Sequence, residues 1–236
     1  MEQLTRTART TGLLYLGLAV TGLLGFLVIR GQLFVADDPG ATLANLVEHE
    51  ALARTGIALE LGVVVTQALV AVWFYRLFRG VDAFAAGCIA AFGLVNAAAI
   101  LASAAFLATA LDVALDDSLA PGGGVAATAQ LMYVVSGHFW TAGGVFFGLW
   151  LVPMGVCVLR SGSMPRPLGW LLVGGGVGYV LSALAAYVAP DLDALAAGLT
   201  IPASAGEFWM IGYLLLRGTG RHDSTTVRPA VAAMGG

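Results

Sequence analysis

The chain has 236 residues, of which 59% are hydrophobic and 11% charged, and its formal net charge is −3. A soluble globular domain carries about 25% charged residues, so this composition leaves too little polar surface to face water on all sides. It excludes a soluble globular domain and predicts an all-α membrane protein whose main solvent is the lipid bilayer. Because no basic stripe with interleaved aromatic residues is present, nucleic acid is not an expected partner.

Six apolar runs are long enough to cross a bilayer, which takes about 20 mostly apolar residues in helical form. In chain order they occupy residues 10–29, 55–75, 83–111, 136–159, 168–189 and 195–216, and we number them spans 1 to 6. We expect the first run to be a span rather than a signal peptide, because no small-residue cleavage pattern follows it. The third run is longer than needed, so it is expected to tilt or to continue outside the lipid.

The basic residues indicate the orientation of the spans. All eleven are arginines, and nine of them fall in alternate segments: Arg6, Arg9, Arg76, Arg79, Arg160, Arg166, Arg217, Arg221 and Arg228. By the positive-inside rule these segments are cytoplasmic. We therefore predict a polytopic bundle of six transmembrane helices in the plasma membrane, with both termini cytoplasmic. Residues 1–217 form one domain, and residues 218–236 form a polar tail that is expected to be disordered.

Spans 4 and 5 carry two further signals. Between them, RSGSMPRP at 160–167 places arginines at the membrane face and prolines at the end of one helix and the start of the next. Small residues also recur at helical spacing in both spans, at Gly137, Gly144, Gly148 and Gly155, and at Gly174, Gly178 and Ser182. Such stripes let helix backbones approach closely in lipid, and we expect the contacts to lie within one chain.

Several short stretches are similar to one protein family. They are GLLYL at 12–16, FFGL at 146–149, RSGSMPRPLG at 160–169, GYV at 178–180 and GEFW at 206–209. Together they resemble the bacterial multi-pass membrane proteins known as domain of unknown function 4386, over nearly the whole chain. The resemblance implies six spans and no assigned activity.

The depth of each polar residue follows from the helical rise of 1.5 Å per residue, counted from the arginine at the inner end of its span. Glu207 and Gln67 are both about 15 Å deep by this measure, and Tyr179 has a similar depth. Asn96 is predicted between this level and the outer boundary. Glu60 and His138 are about 24 and 33 Å from the inner face, near the outer boundary with Arg30 and Arg54.

These depths allow two interpretations. In the functional one, Glu207, Gln67 and Tyr179 form a central site for a small molecule or a proton, and Asn96 is a further candidate ligand-binding residue. Arg30, Arg54, Glu60 and His138 form the outer entrance of this site. In the other, Glu207 is protonated and hydrogen-bonded to Tyr179 or Gln67, while Glu60 pairs with Arg30 and His138 is a packing residue. A carboxyl group at mid-bilayer is costly, so both interpretations place Glu207 inside the bundle.

Enzyme templates find little support in the sequence. The absence of lysine excludes a retinal or pyridoxal Schiff base, and HEALA at 49–53 lacks the second histidine of an HExxH metalloprotease motif. We assign no catalytic residue, metal or cofactor. Two functions remain: a small transporter or ligand-sensing membrane protein, or a non-catalytic accessory or structural membrane subunit.

Overall fold

The computed structural model describes residues 2–218, which are mostly helical and contain no β-strand. Six helices are long and apolar enough to cross a membrane: span 1 at Glu2–Leu33, span 2 at Glu50–Phe78, span 3 at Ala83–Leu115, span 4 at Val125–Ser161, span 5 at Arg166–Val188 and span 6 at Asp193–Leu216. The predicted all-α, six-span fold is therefore confirmed. Apart from Gly218, the predicted tail lies outside the described residues.

The helices are longer than the apolar runs that predicted them. Span 4 begins at Val125 rather than at residue 136, because its first turns bury Ala129 and Tyr133 against other helices. A short helix at Pro39–Glu48 was not predicted. It begins with proline in its first turn and with Asp38 as N-cap, which accepts a hydrogen bond from the Ala41 amide at 2.8 Å.

The six spans pack in a closed order. Each span contacts its neighbours along the chain, and span 1 also contacts span 6. The two ends of the described chain therefore meet, because a Cβ atom at Gly218 would lie 3.2 Å from the Thr5 side chain. We call the end of the bundle that carries Thr5 and Gly218 the terminal face, and the end that carries the short helix the opposite face.

Glycines allow span 5 to approach both of its neighbours closely. A Cβ atom at Gly148 or Gly155 of span 4 would lie 2.5–2.6 Å from a backbone oxygen of span 5. On its other side, span 5 uses Gly175 and Gly178, where a Cβ atom would lie 2.3–2.5 Å from the span 6 backbone. Gly174, which the sequence also placed in a packing stripe, has open space around it. These close contacts join neighbouring spans of one chain.

The bundle has two apolar cores. The first is centred on the rings of Tyr15, Phe74 and Trp150, which meet edge to face with centroids 5.4–5.9 Å apart. The second lies at the opposite face, where Leu46 of the short helix and Leu111 of span 3 are fully or almost fully buried. The second core fixes the short helix to the ends of spans 1, 3 and 4.

The segment between spans 4 and 5 forms a tight turn at the terminal face. Span 4 ends where Gly162 adopts a left-handed conformation with φ 63°, and span 5 starts with Pro167 in its first turn. Arg160 forms an ion pair with Asp82. Asp82 in turn caps span 3 by accepting a hydrogen bond from the Ala85 amide at 3.0 Å, so this turn is tied to the start of a third span.

Candidate functional site

A cavity of about 440 Å³ lies inside the bundle and is lined by residues from all six spans. Its polar lining residues are Tyr15, Gln67, Asn96, Tyr179, Thr200, Ser204 and Glu207. Four residues that the sequence singled out, Glu207, Gln67, Tyr179 and Asn96, therefore lie in one cavity wall. The remaining lining residues are apolar or glycine, so the polar groups stand out from an otherwise hydrophobic surface.

Tyr15 of span 1 is the residue that contacts Glu207 directly. Its hydroxyl donates a hydrogen bond to one carboxyl oxygen of Glu207, and its side chain is almost fully buried. The sequence analysis predicted Tyr179 or Gln67 as the partner and did not identify Tyr15. The same depth calculation could have found it, because Tyr15 is nine residues from Arg6 and therefore about 14 Å deep, close to the level of Glu207.

Gln67 of span 2 presents an amide without protein partners. The residue is fully buried, and neither its oxygen nor its nitrogen forms a hydrogen bond within the described chain. A buried amide without partners is costly, and in most proteins such groups are bonded to protein or to ordered water. Gln67 is among the residues that line the cavity, but its amide atoms are themselves buried in the wall.

Arg30 of span 1 lies outside the cavity, in a second polar cluster. Its guanidinium donates hydrogen bonds to the Tyr133 carbonyl at 2.6 Å and to the Ser136 hydroxyl at 2.9 Å. It also lies 5.4–5.8 Å from the ring centroids of Phe26, Phe34 and Tyr133, which is within the range of cation–π attraction. These contacts fix the charge of Arg30 between spans 1 and 4.

Glu60 of span 2 completes this cluster. The nearest Arg30 nitrogen is 4.0 Å from its Oε1 atom, which also accepts a hydrogen bond from the Trp140 indole at 3.0 Å. The other carboxyl oxygen has no partner in the described chain. The rings of Trp140 and Phe26 are 4.5 Å apart, and both line the cavity. This ring pair stands between the cavity and the Arg30–Glu60 pair.

The structure does not bring Arg54 or His138 to the cavity. Arg54 pairs with Glu50, one turn earlier on span 2, at 2.6 Å, and both side chains are largely exposed. His138 is exposed, and its ring lies 6.0 Å from that of Tyr187. The four residues that the sequence placed at one outer entrance therefore occupy three separate surroundings.

The exposed part of the cavity wall belongs to only two spans. Four lining residues are exposed, Leu23 and Leu27 of span 1 and Ser204 and Phe208 of span 6. At this level span 1 forms a π-helix, Leu23–Ile29, that packs on span 2, whereas span 6 packs on span 5. A π-helical turn within an α-helix is frequently found at a functional site.

Comparison with known proteins gives one result. Searches of curated proteins and of solved structures find no match. A family model described as Domain of unknown function (DUF4386) matches residues 10–218, which include all the cavity-lining residues. The chain is thus an integral membrane protein that belongs to this family, as the short stretches in its sequence had suggested.

Proposed function

We propose that the protein binds a small, mainly apolar molecule in its central cavity and acts as a small transporter or as a ligand-sensing membrane protein. The observation that carries the proposal is a cavity of about 440 Å³ that is lined by Glu207 and a few other polar residues in a mainly apolar wall. Ligand sites in proteins typically have about 300–1,000 Å³ and a few polar groups in an apolar wall. Both properties match this cavity.

The position of the exposed wall suggests how a ligand arrives. Leu23, Leu27 and Phe208 are 52%, 64% and 63% exposed, and they belong to spans 1 and 6, which form the exposed part of the cavity wall. In a bilayer, exposed leucine and phenylalanine side chains at this depth face lipid. The ligand accordingly enters from the hydrocarbon layer, between spans 1 and 6, rather than from water.

The arginine pattern supports an orientation. In the folded bundle, Arg79 and Arg160 lie at the terminal face, which also carries Thr5 and Gly218. We therefore propose that this face is cytoplasmic and that the protein resides in the plasma membrane. The cavity mouth then opens in the half of the bilayer nearer the outer surface, because Leu23 follows Tyr15 in the direction away from the terminal face.

A cavity-filling variant tests the proposal. Ala19 lines the cavity, whereas the next residue, Val20, is 45% exposed and does not line it. In a thermal-shift screen of small lipophilic compounds, we expect at least one to stabilise the wild type and Val20→Phe but not Ala19→Phe. A ligand at a hundred times its Kd stabilises the folded state by about 2.7 kcal/mol, which is readily detected.

The alternative is an accessory or structural subunit whose polar residues only hold helices together. The Arg30–Glu60 cluster and the close glycine contacts are consistent with that role. If no compound distinguishes Ala19→Phe from Val20→Phe, the cavity has no ligand among the classes screened and the structural role is favoured.

A further inference from the structure

We propose that the central cavity selects a lipophilic organic cation, such as an amine with an apolar body, whose positive group is held by Glu207 and by surrounding aromatic rings. This inference rests on the proposed function, because it names the chemical class of the ligand of the same cavity.

The charges around the cavity have one sign. Glu207 is the one ionisable carboxylic acid among the lining residues, and none of them is arginine, lysine or histidine. Arg30, the nearest buried cation, is occupied by its own hydrogen bonds and stands behind the Phe26–Trp140 ring pair. An anion would enter this cavity without a counter-charge and beside a carboxyl group, which is strongly unfavourable away from water.

One carboxyl oxygen of Glu207 is free to accept a hydrogen bond. One of its oxygens accepts a hydrogen bond from the Tyr15 hydroxyl, and the other accepts none from the part of the chain that the structure describes. A hydrogen bond from Tyr15 stabilises a carboxylate and fixes its direction. The free oxygen can then accept a hydrogen bond from an ammonium group or form a direct ion pair with it.

Aromatic rings form much of the remaining wall. Those that line the cavity are Tyr15, Phe26, Trp140, Phe147, Tyr179 and Phe208. The rings of Phe147 and Tyr179 are 5.1 Å apart and tilted by 57°, so their faces are not stacked against each other. Ring faces attract cations through their negative electrostatic potential, and aromatic cages are a common way to recognise quaternary ammonium groups. The same rings bind the apolar body of a lipophilic ligand.

The mouth of the cavity fits this class of ligand. A lipophilic cation concentrates in a bilayer with its charge towards the interface and its apolar part in the hydrocarbon. The exposed rim of Leu23, Leu27 and Phe208 contacts the apolar part, and Ser204 adds one hydroxyl at the same rim. An ion pair with the carboxyl group inside the cavity favours the bound cation over the cation in lipid.

The test compares three probes of similar size on the purified, full-length protein. They are benzyltrimethylammonium, its neutral isostere neopentylbenzene, in which carbon replaces the charged nitrogen, and phenylmethanesulfonate, which is an anion. Binding is measured by equilibrium dialysis, with uptake by detergent micelles alone subtracted. We expect the cation to bind about tenfold more tightly than the neutral isostere or the anion.

Variants identify the residue responsible. Glu207→Gln should reduce the affinity for the cation about tenfold, whereas Glu50→Gln, which removes the same charge at an exposed position, should leave it unchanged. Equal affinity for the cation and its isostere in the wild type would overturn the inference without any variant. So would an affinity that Glu207→Gln does not change, or no binding of the cation. If Ala19→Phe still abolishes binding of neutral compounds, the proposed function stands although the ligand class is wrong.

Discussion

The Arg30–Glu60 pair allows a quantitative prediction, because Arg30 has more stabilising contacts with the rest of the protein than Glu60 has. Arg30 has two hydrogen bonds and three aromatic rings in addition to Glu60. In the described chain Glu60 accepts one hydrogen bond, from the Trp140 indole, although only 2% of the residue is exposed. Loss of Arg30 therefore isolates a buried carboxylate, whereas loss of the Glu60 charge leaves an arginine that is still well solvated by the protein.

We expect Arg30→Gln to lower the free energy of unfolding by about 3–5 kcal/mol, the usual cost of stripping one partner from a buried pair. Glu60→Gln should cost less, about 1–3 kcal/mol, because the glutamine oxygen can still accept from Trp140. In the double variant no charge is left unpaired. Its loss should be smaller than the sum of the single losses by at least about 1 kcal/mol.

The measurement is a double-mutant cycle on the purified protein, unfolded by denaturing detergent in mixed micelles. Arg54 and Glu50 provide a matched control, since they are also an Arg–Glu pair but both are largely exposed. Their coupling energy should be only about 0.3–0.5 kcal/mol. Additive losses for Arg30 and Glu60, or a larger loss for Glu60→Gln than for Arg30→Gln, would refute the reasoning.

Three further predictions concern packing, pH and orientation. Gly155→Ala should destabilise the protein by about 1–3 kcal/mol, because the new Cβ atom would lie 2.5 Å from a carbonyl oxygen of span 5. In the same unfolding assay Gly174→Ala should be neutral or stabilising, because the space around Gly174 is open. The pKa of Asp82 is lowered by the backbone amide it caps and by a nearby arginine, so it stabilises the fold above its unfolded pKa and loses this effect in acid. Asp82→Asn should therefore be less stable than the wild type at pH 7, and the difference should shrink as the pH falls below about 4; a constant difference would exclude a charge effect. With Cys88 and Cys157 replaced by serine, a single cysteine at Ser118 should react with an impermeant thiol reagent from outside, and one at Ser163 only after lysis. Reaction of both from outside would contradict the proposed orientation.

Depth in the membrane could be predicted from the sequence because every α-helix rises by the same 1.5 Å per residue. This is why Glu207, Gln67 and Tyr179, chosen by depth alone, line one cavity. Depth does not give direction around the helix. Arg54 is six residues from Glu60, which corresponds to a rotation of about 240°, so the two side chains cannot share the inner face of span 2.

The separation of Glu60 from the cavity could not be predicted in this way. Glu60 and Gln67 are seven residues apart and do share a face of span 2, and both are buried. What divides them is the Phe26–Trp140 ring pair, which comes from spans 1 and 4. Contacts contributed by other spans depend on how the helices are arranged around each other, and one helix's periodicity contains no information about that arrangement.

The extra length of span 4 has a practical consequence. Its 37 residues correspond to about 55 Å, and at a tilt of 20° it would still extend over about 52 Å. This is roughly 10 Å more than a bilayer with both headgroup layers, so we expect the end of span 4 that begins at Val125, together with the short helix packed on it, to form a folded cap above the lipid. Such a cap is a rigid epitope: an antibody fragment bound to it would move with the spans that line the cavity and provide an alignment feature for electron cryomicroscopy of a 24.2 kDa membrane protein.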